Sequence, residues 1–275
     1  MEAPKLHGRF VWYDLMSPDL DGSKSFYTNV AGWTTESFQP VPEMPPYTMW
    51  MAGESSIGGM VPLPEEGNVP PHWLLYIGAD NVDKTVEDIR TNGGTVLEEP
   101  KNIPTVGRFA VCQDPQGATF AVFTPLENTP GLQGEPRPKF MSWHELGSSD
   151  AEAGLAFYRT IFGWGDAGTH DLGEEMGNYY MFDAGAWPTG GAYTIPASME
   201  GMPSAWIPYI MTDGLDAACE RLKAAGGQIM NGPMDVPGGS RVAVCMDAHG
   251  AAFGLHEAGD ETPEAVGEGS AEAVA

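Results

Sequence analysis

The chain has 275 residues, enough for two domains that each bury a hydrophobic core without disulfide or metal support. Its 13 Lys and Arg residues face 38 Asp and Glu residues, a formal net charge of −25. This charge opposes binding to nucleic acid or to an anionic membrane surface and favours cationic partners. Three cysteines without a close-spaced pair argue against a disulfide framework or a zinc site.

The sequence contains no apolar run long enough to span a membrane, and its first residues lack the pattern of a signal peptide. We therefore expect a cytoplasmic protein.

The two halves of the chain repeat one another. Between residues 10–33 and 140–164, counterparts such as Trp12 and Trp143 have an offset of 131, and later counterparts such as Trp73 and Trp206 have an offset of 133. Such self-similarity predicts two copies of one domain. The predicted boundaries are domain 1 at 7–125, a Pro- and Gly-rich linker at 126–138, domain 2 at 139–258, and an acidic disordered tail at 259–275.

Each copy begins with a strand and a helix. In the first copy, the strand from Phe10 leads to Asp19, a residue suited to cap a helix, and the helix carries Phe26 and Tyr27. A second strand at 73–79 then leads into another helix. That helix has its apolar residues on one face and Gly93 at its end.

The remaining segments predict antiparallel strands. Residues 108–123 contain an alternating strand, a tight Asp-x-x-Gly turn and a second alternating strand, which is typical of a hairpin. Residues 241–256 repeat this pattern in the second copy. The chain therefore divides into four similar units of strand, helix and further strands.

The spacing of these motifs resembles a known family. The opening S-x-D-x6-FY-x4-GW lies at Ser17–Trp33 and again at Ser148–Trp164, and both copies end in D-x-x-G-x-x-F. The pattern resembles the vicinal oxygen chelate superfamily, which includes glyoxalase I, bleomycin-resistance proteins and extradiol dioxygenases. The resemblance implies an α+β fold of two tandem vicinal-oxygen-chelate-like domains, each of two βαβββ units that form a cupped mixed sheet.

The resemblance also implies where a divalent metal would bind, since the family holds it with His, Gln or Glu on the inner face of the cup. None of the residues at the matching positions has a ligating side chain. These residues are Trp12, Gly58 or Gly59, Leu74 and Ala121 in domain 1, and Trp143, Gly190 or Gly191, Ile207 and Gly254 in domain 2. We therefore predict no metal ligand and no cofactor, unless the alignment shifts at the glycine-containing strands.

Strand alternation predicts which other side chains share the cup, because residues two apart point to the same face. The predicted sets are Trp12, Asp14, Leu74, Tyr76 and Phe123 in domain 1, and Trp143, Glu145, Ile207, Tyr209 and His256 in domain 2. His144 has the opposite parity, which predicts that it lies on the helix-facing side.

These sets favour a glyoxalase/bleomycin-resistance-like protein that binds a small molecule in aromatic-lined cavities. A cationic or aromatic compound suits the acidic charge, and a monomer or weak homodimer suits four units in one chain. The alternative is an enzyme, either a glyoxalase-like lyase or a dioxygenase or hydroxylase. Glu145 and His256 would then form an acid/base pair together with Tyr209, or a non-standard metal site would act. The sequence leaves open the identity of the ligand, the presence of catalysis and the use of both cavities.

Overall fold

The computed structural model describes residues 6–64, 69–126, 136–185 and 188–259. All but one residue of the predicted tail, and most of the predicted linker, lie outside these ranges. The elements of the first half are β1 (Phe10–Ser17), α1 (Leu20–Ala31), β2 (Thr34–Phe38), β3 (Tyr47–Ala52), β4 (Ser55–Pro62), β5 (His72–Gly78), α2 (Val82–Thr91), β6 (Thr95–Ile103), β7 (Gly107–Gln113) and β8 (Thr119–Pro125). Those of the second half are β9 (Met141–Ser148), α3 (Ala151–Phe162), β10 (Gly165–Asp171), β11 (Asn178–Asp183), β12 (Pro188–Thr194), β13 (Ala205–Met211), α4 (Leu215–Ala224), β14 (Gln228–Asp235), β15 (Arg241–Met246) and β16 (Ala252–Glu257).

Each half forms one eight-stranded mixed sheet. The strand order is β2-β3-β4-β1-β5-β8-β7-β6 in the first sheet and β10-β11-β12-β9-β13-β16-β15-β14 in the second. The central pairs β1/β4 and β5/β8 are parallel, and β1/β5 joins the two units antiparallel. This order confirms the α+β fold of tandem domains, each made of two βαβββ units.

The first helix of each domain begins and ends as its sequence predicts. Asp19 accepts a hydrogen bond from the backbone N–H of Gly22, which satisfies a donor that the helix leaves free. Gly32 ends α1 with a φ of 68°, a left-handed conformation that glycine adopts without steric cost. Asp150 and Gly163 cap α3 in the same way.

The helices and the helix-facing sides of both sheets meet in one shared core. Tyr27 on α1 donates to Asp247 of the other domain at 3.1 Å, and Tyr158 on α3 donates to Asp114 at 3.1 Å. Both tyrosine hydroxyls also accept a tryptophan indole N–H, from Trp73 and from Trp206. Because buried polar groups need partners, these reciprocal bonds fix how the domains dock.

His144 also lies in this core, on the helix-facing side that its parity predicts. Its ring stacks on Phe10 with a centroid separation of 3.8 Å, and its Nε2 lies 2.6 Å from the hydroxyl of Tyr13. Tyr13 and His144 are counterparts in the repeat, so the two domains contact each other here through equivalent positions.

Further observations concern the helices, the cysteines and two surface arginines. No helix within the described ranges is long and apolar enough to cross a membrane. The three cysteines are buried and unpaired. Arg108 pairs with Asp83, and its counterpart Arg241 pairs with Asp216.

Candidate functional site

The cup of domain 1, defined here as the sheet face that carries Asp14 and Tyr76, is built from the central strands. Trp12 and Asp14 on β1 lie opposite Tyr76 and Leu74 on β5. Strand β8 runs beside β5 and adds Phe123. The alternation rule therefore assigned these five side chains to the correct face.

Asp14 is the centre of a hydrogen-bond network in this cup. Tyr76 donates to its Oδ2 at 2.8 Å, and Tyr47 donates to its Oδ1. The indole Nε1 of Trp12 lies 2.8 Å from the Tyr47 hydroxyl and 3.2 Å from Asp14 Oδ1. The carboxylate is thus held in place by two hydroxyl donors and one indole donor, and Oδ2 retains a free lone pair.

Burial sets the protonation states in this network. Desolvation raises the pKa of Asp14, while the hydrogen bonds from Tyr47, Tyr76 and Trp12 lower it. Burial and the neighbouring carboxylate raise the pKa of both tyrosines well above the usual value. The tyrosines therefore remain protonated donors, and Asp14 is the acceptor that the cup offers to a ligand.

Sequence reasoning missed Tyr47 and Val11. Tyr47 lies on β3 after a proline-rich segment, and its match to Tyr179 at an offset of 132 was the signal that could have found it. Val11 sits at a β-bulge, where the register between β1 and β5 shifts between Phe10 and Trp12. Because a bulge re-aims a side chain, Val11 joins the cup against its parity.

The domain 1 cup encloses a cavity of about 690 Å³. Its walls are mostly apolar and include Val11, Phe38, Met49, Phe109 and Phe123. Asp14, Tyr47 and Tyr76 also line it. A large apolar cavity with a few convergent polar groups is the usual form of a small-molecule site.

The cup of domain 2, the face that carries Glu145 and Tyr209, repeats the network. Tyr209 donates to Glu145 Oε1 at 2.9 Å and Tyr179 donates to Oε2 at 3.2 Å. Trp143 Nε1 donates to the Tyr179 hydroxyl at 2.8 Å, and Ile207 lies opposite Glu145. Burial raises the pKa of Glu145, and its two tyrosine partners lower it.

The predicted acid/base pair of Glu145 and His256 is wrong. His256 lies beside Met211, four residues along β13 from the residue opposite Glu145. It contacts Ser142 instead, with Nδ1 2.8 Å from the serine Oγ. Parity correctly placed both residues on one face, but it does not report their separation along the strands.

The donor atoms of the two cups do not fit the metal that the family commonly uses. Trp12, Leu74, Trp143 and Ile207 offer no ligating atom where the resemblance places ligands. A Cβ at Gly59 would collide with the Tyr47 ring, so this strand position has no room for a ligating side chain. In the described part of the chain, no three His, Cys, Asp or Glu side chains converge as a metal site.

The fold and its paired cups define a class of protein, and comparison with known families identifies that class. A family model described as the Glyoxalase/Bleomycin resistance protein/Dioxygenase superfamily matches residues 9–122 and 141–255. The chain belongs to this superfamily.

Two relatives match nearly the whole chain. "Putative glyoxylase CFP32" of Mycobacterium tuberculosis is 32% identical, over 89% of this chain and 92% of its own length. "Anthracycline biosynthesis protein DauV" of Streptomyces sp. is 28% identical, over 94% of this chain and 96% of its own length.

Solved structures share the fold at low identity. The Mn(II)-bound glyoxalase from Novosphingobium aromaticivorans has a TM-score of 0.63 and 18% identity, over 92% of this chain and 82% of that one. The 2,3-dioxygenase LapB from Pseudomonas sp. KL28 has a TM-score of 0.64 and 10% identity, over 94% of this chain and 96% of that one.

Proposed function

We propose that the domain 1 cup binds an aromatic small molecule that carries a cationic or hydrogen-bond-donating group, and that it does so without a catalytic metal. The observation that carries this proposal is the cavity of about 690 Å³ with one held carboxylate, Asp14, among aromatic and apolar walls. Cavities for drug-sized ligands span about 300–1,000 Å³.

The chemistry of the walls favours this ligand class. Flat apolar groups gain free energy by leaving water, and aromatic walls such as Phe109 and Phe123 add stacking contacts. Asp14 Oδ2 accepts from Tyr76 and keeps capacity for a donor on the ligand. Relatives described as anthracycline biosynthesis proteins support the same class, because an anthracycline joins a planar ring system to an aminosugar.

A titration with doxorubicin tests the proposal, since the fluorescence of its rings reports on stacking. Binding is expected in the unmodified chain and in Glu145→Gln, which alters only the other cup. Asp14→Asn keeps the shape but replaces an accepting carboxylate oxygen with a donating amide group, and it should weaken binding by roughly tenfold. Equal binding in Asp14→Asn and the unmodified chain would contradict the role of the carboxylate, and no binding of aromatic amines would contradict the function.

Elemental mass spectrometry tests the metal-free part of the proposal. We expect far less than one Zn, Ni, Mn or Fe per chain in protein purified without chelators. Near-stoichiometric metal that is lost in Glu145→Ala or His256→Ala would instead favour an enzyme.

The enzymatic alternative draws support from relatives that are described as glyoxylases. Its test is turnover. Lactoylglutathione formation from methylglyoxal and glutathione, or oxygen uptake with catechols, would have to be abolished by Glu145→Ala. The proposal of a binding protein includes a cytoplasmic location. It also includes a monomeric or weakly dimeric state, which size-exclusion chromatography with light scattering would measure.

A further inference from the structure

The cup of domain 2 contains a polar pair that domain 1 lacks. Ser142 sits at a β-bulge of β9, where the register with β13 shifts between Met141 and Trp143. The bulge brings its hydroxyl oxygen to 2.8 Å from Nδ1 of His256 on β16. Ser142 is 6% exposed and His256 is half-buried. The pair therefore lies inside the protein at a cup wall.

The hydrogen-bond partners of Ser142 favour one tautomer of His256. Its hydroxyl oxygen also lies 3.3 Å from the backbone carbonyl of Tyr209, a group that can only accept. A serine hydroxyl has a single proton, and when the carbonyl receives it, a lone pair of the oxygen faces His256. Nδ1 then carries the imidazole hydrogen and donates to Ser142, which leaves Nε2 as an acceptor.

Nε2 of His256 is free to meet a ligand. Within the ranges that the structure describes, this nitrogen has no hydrogen-bond partner from the protein. Burial lowers the pKa of His256, so the imidazole is neutral near pH 7 and retains the Nε2 lone pair. An oriented, neutral imidazole that is half-buried is a strong acceptor for a hydroxyl group.

We propose that the domain 2 cup is a second ligand site, in which Nε2 of His256 accepts a hydrogen bond from a phenol. The half-buried rings of Trp143 and Tyr179 supply an aromatic surface on the same face. Glu145 accepts from two tyrosines and lies four residues away along β13, so His256 is the acceptor at this end of the cup. A ligand that donates from an aromatic ring matches both features. This site is separate from the domain 1 cavity.

The repeat itself supplies matched control substitutions. The counterparts of Ser142 and His256 in domain 1 are Val11 and Phe123, which occupy the same places on the same fold. Ser142→Val and His256→Phe therefore install residues that this architecture already accommodates. Asp14→Asn weakens the domain 1 cup and provides a common background in which phenol binding to domain 2 is compared.

The test uses 4-methylphenol, which stays protonated at pH 7, and protein labelled with 15N in the histidine rings. The free protein should show His256 protonated at Nδ1, and millimolar 4-methylphenol should shift its Nε2 resonance. When both compared proteins also carry Asp14→Asn, which weakens the domain 1 cup, His256→Phe should weaken 4-methylphenol binding by about tenfold or more. Ser142→Val should give a mixture of the two ring tautomers and weaker binding.

Three results would overturn this second site. They are an Nε2-protonated His256 in the free protein, an Nε2 resonance that millimolar 4-methylphenol does not move, or equal 4-methylphenol affinity in Asp14→Asn with and without His256→Phe. The first two need no variant, so they decide the matter even if a substituted chain fails to fold. The doxorubicin titration with Asp14→Asn tests the domain 1 cup in a separate experiment, so its outcome does not decide the domain 2 site.

Discussion

The two domains agree where they face each other and differ where they face away. In the shared core, Tyr27 with Asp247 and Tyr158 with Asp114 make the same bond in both directions. In the cups, Phe123 of domain 1 is replaced by His256 in domain 2. A buried interface tolerates few residue types, because each polar group needs a partner, whereas a cup is free to change with its ligand.

The cup difference is chemical rather than architectural. Both cups keep a carboxylate that accepts from two tyrosines, and in both a tryptophan indole N–H donates to one of these tyrosines. Domain 1 surrounds Asp14 with apolar walls, while domain 2 adds the hydrogen-bonded pair of Ser142 and His256. We therefore expect the two cups to bind different ligands on the same scaffold.

The largest expected effect comes from the reciprocal aspartates of the core. Asp114 Oδ1 accepts from the backbone N–H groups of Gln116 and Ala118, and its Oδ2 accepts from Tyr158. Asp114→Ala leaves all three donors without this partner and should lower the free energy of unfolding by roughly 4 kcal/mol. Asp247→Ala should cost a similar amount, because Asp247 has the same set of partners in the other domain.

Urea denaturation followed by tryptophan fluorescence measures both variants. One hydrophobic cluster spans the two domains, so we expect a single transition that shifts in each case. Asp80→Ala, at an exposed carboxylate, is the control and should shift little. Two separate transitions, or a large difference between the aspartate variants, would refute the symmetry of the core.

The second-largest expected effect is a pH dependence of stability. It comes from a pair of counterpart residues in the core that are not identical. His144 faces Tyr13, and burial lowers the pKa of His144 from 6.5 to about 4. The unfolded chain takes up a proton near pH 6.5, whereas the folded chain does so only near pH 4. This residue therefore contributes stability above pH 6.5 that is lost as the pH falls towards 4, a change of about 3 kcal/mol.

Unfolding free energies of the unmodified chain and of His144→Phe, measured from pH 7.5 to pH 4, isolate this contribution. Other buried groups titrate equally in both proteins, so their contribution to the unfolding free energy cancels when the two proteins are compared. The stability of the unmodified chain relative to His144→Phe should fall as the pH drops through this window. A difference that does not depend on pH would show that His144 keeps its ordinary pKa.

Sequence periodicity predicted most of the fold and part of each cup. Alternation placed Trp12 and Asp14 correctly because a regular strand has a fixed period of two. It failed at Val11 and Ser142, where a bulge changes the face that a residue presents. It also paired Glu145 with His256, since parity carries no information about distance along a sheet.

The third prediction concerns the glycines that make room for the cup tyrosines. A Cβ at Gly59 would collide with Tyr47, and a Cβ at Gly191 would collide with Tyr179. Gly59→Ala must therefore displace Tyr47 from Asp14, and doxorubicin binding should weaken by roughly tenfold, about 1.4 kcal/mol. Gly191→Ala disturbs only the second cup and should leave that affinity unchanged.

Fluorescence titration of both alanine variants makes this comparison directly. Near-ultraviolet circular dichroism on each variant confirms that its core is intact. If both variants weaken doxorubicin binding equally, the ligand does not distinguish the two cups, and the assignment of this aromatic ligand to domain 1 is wrong.

The smallest expected effect lies at the surface, where the two domains again agree. Arg108 pairs with Asp83 at 2.7 Å, and Arg241 pairs with Asp216 at 3.0 Å. Solvent and salt screen such exposed pairs, so Arg108→Gln should leave both the urea midpoint and doxorubicin affinity within error. Arg241 also lies 3.3 Å from the partly buried Glu257, so Arg241→Gln should produce the larger shift of the two. A clear loss of doxorubicin affinity in Arg108→Gln would instead make this arginine part of the recognition site, and the acidic anchor Asp14 would then no longer account for binding alone.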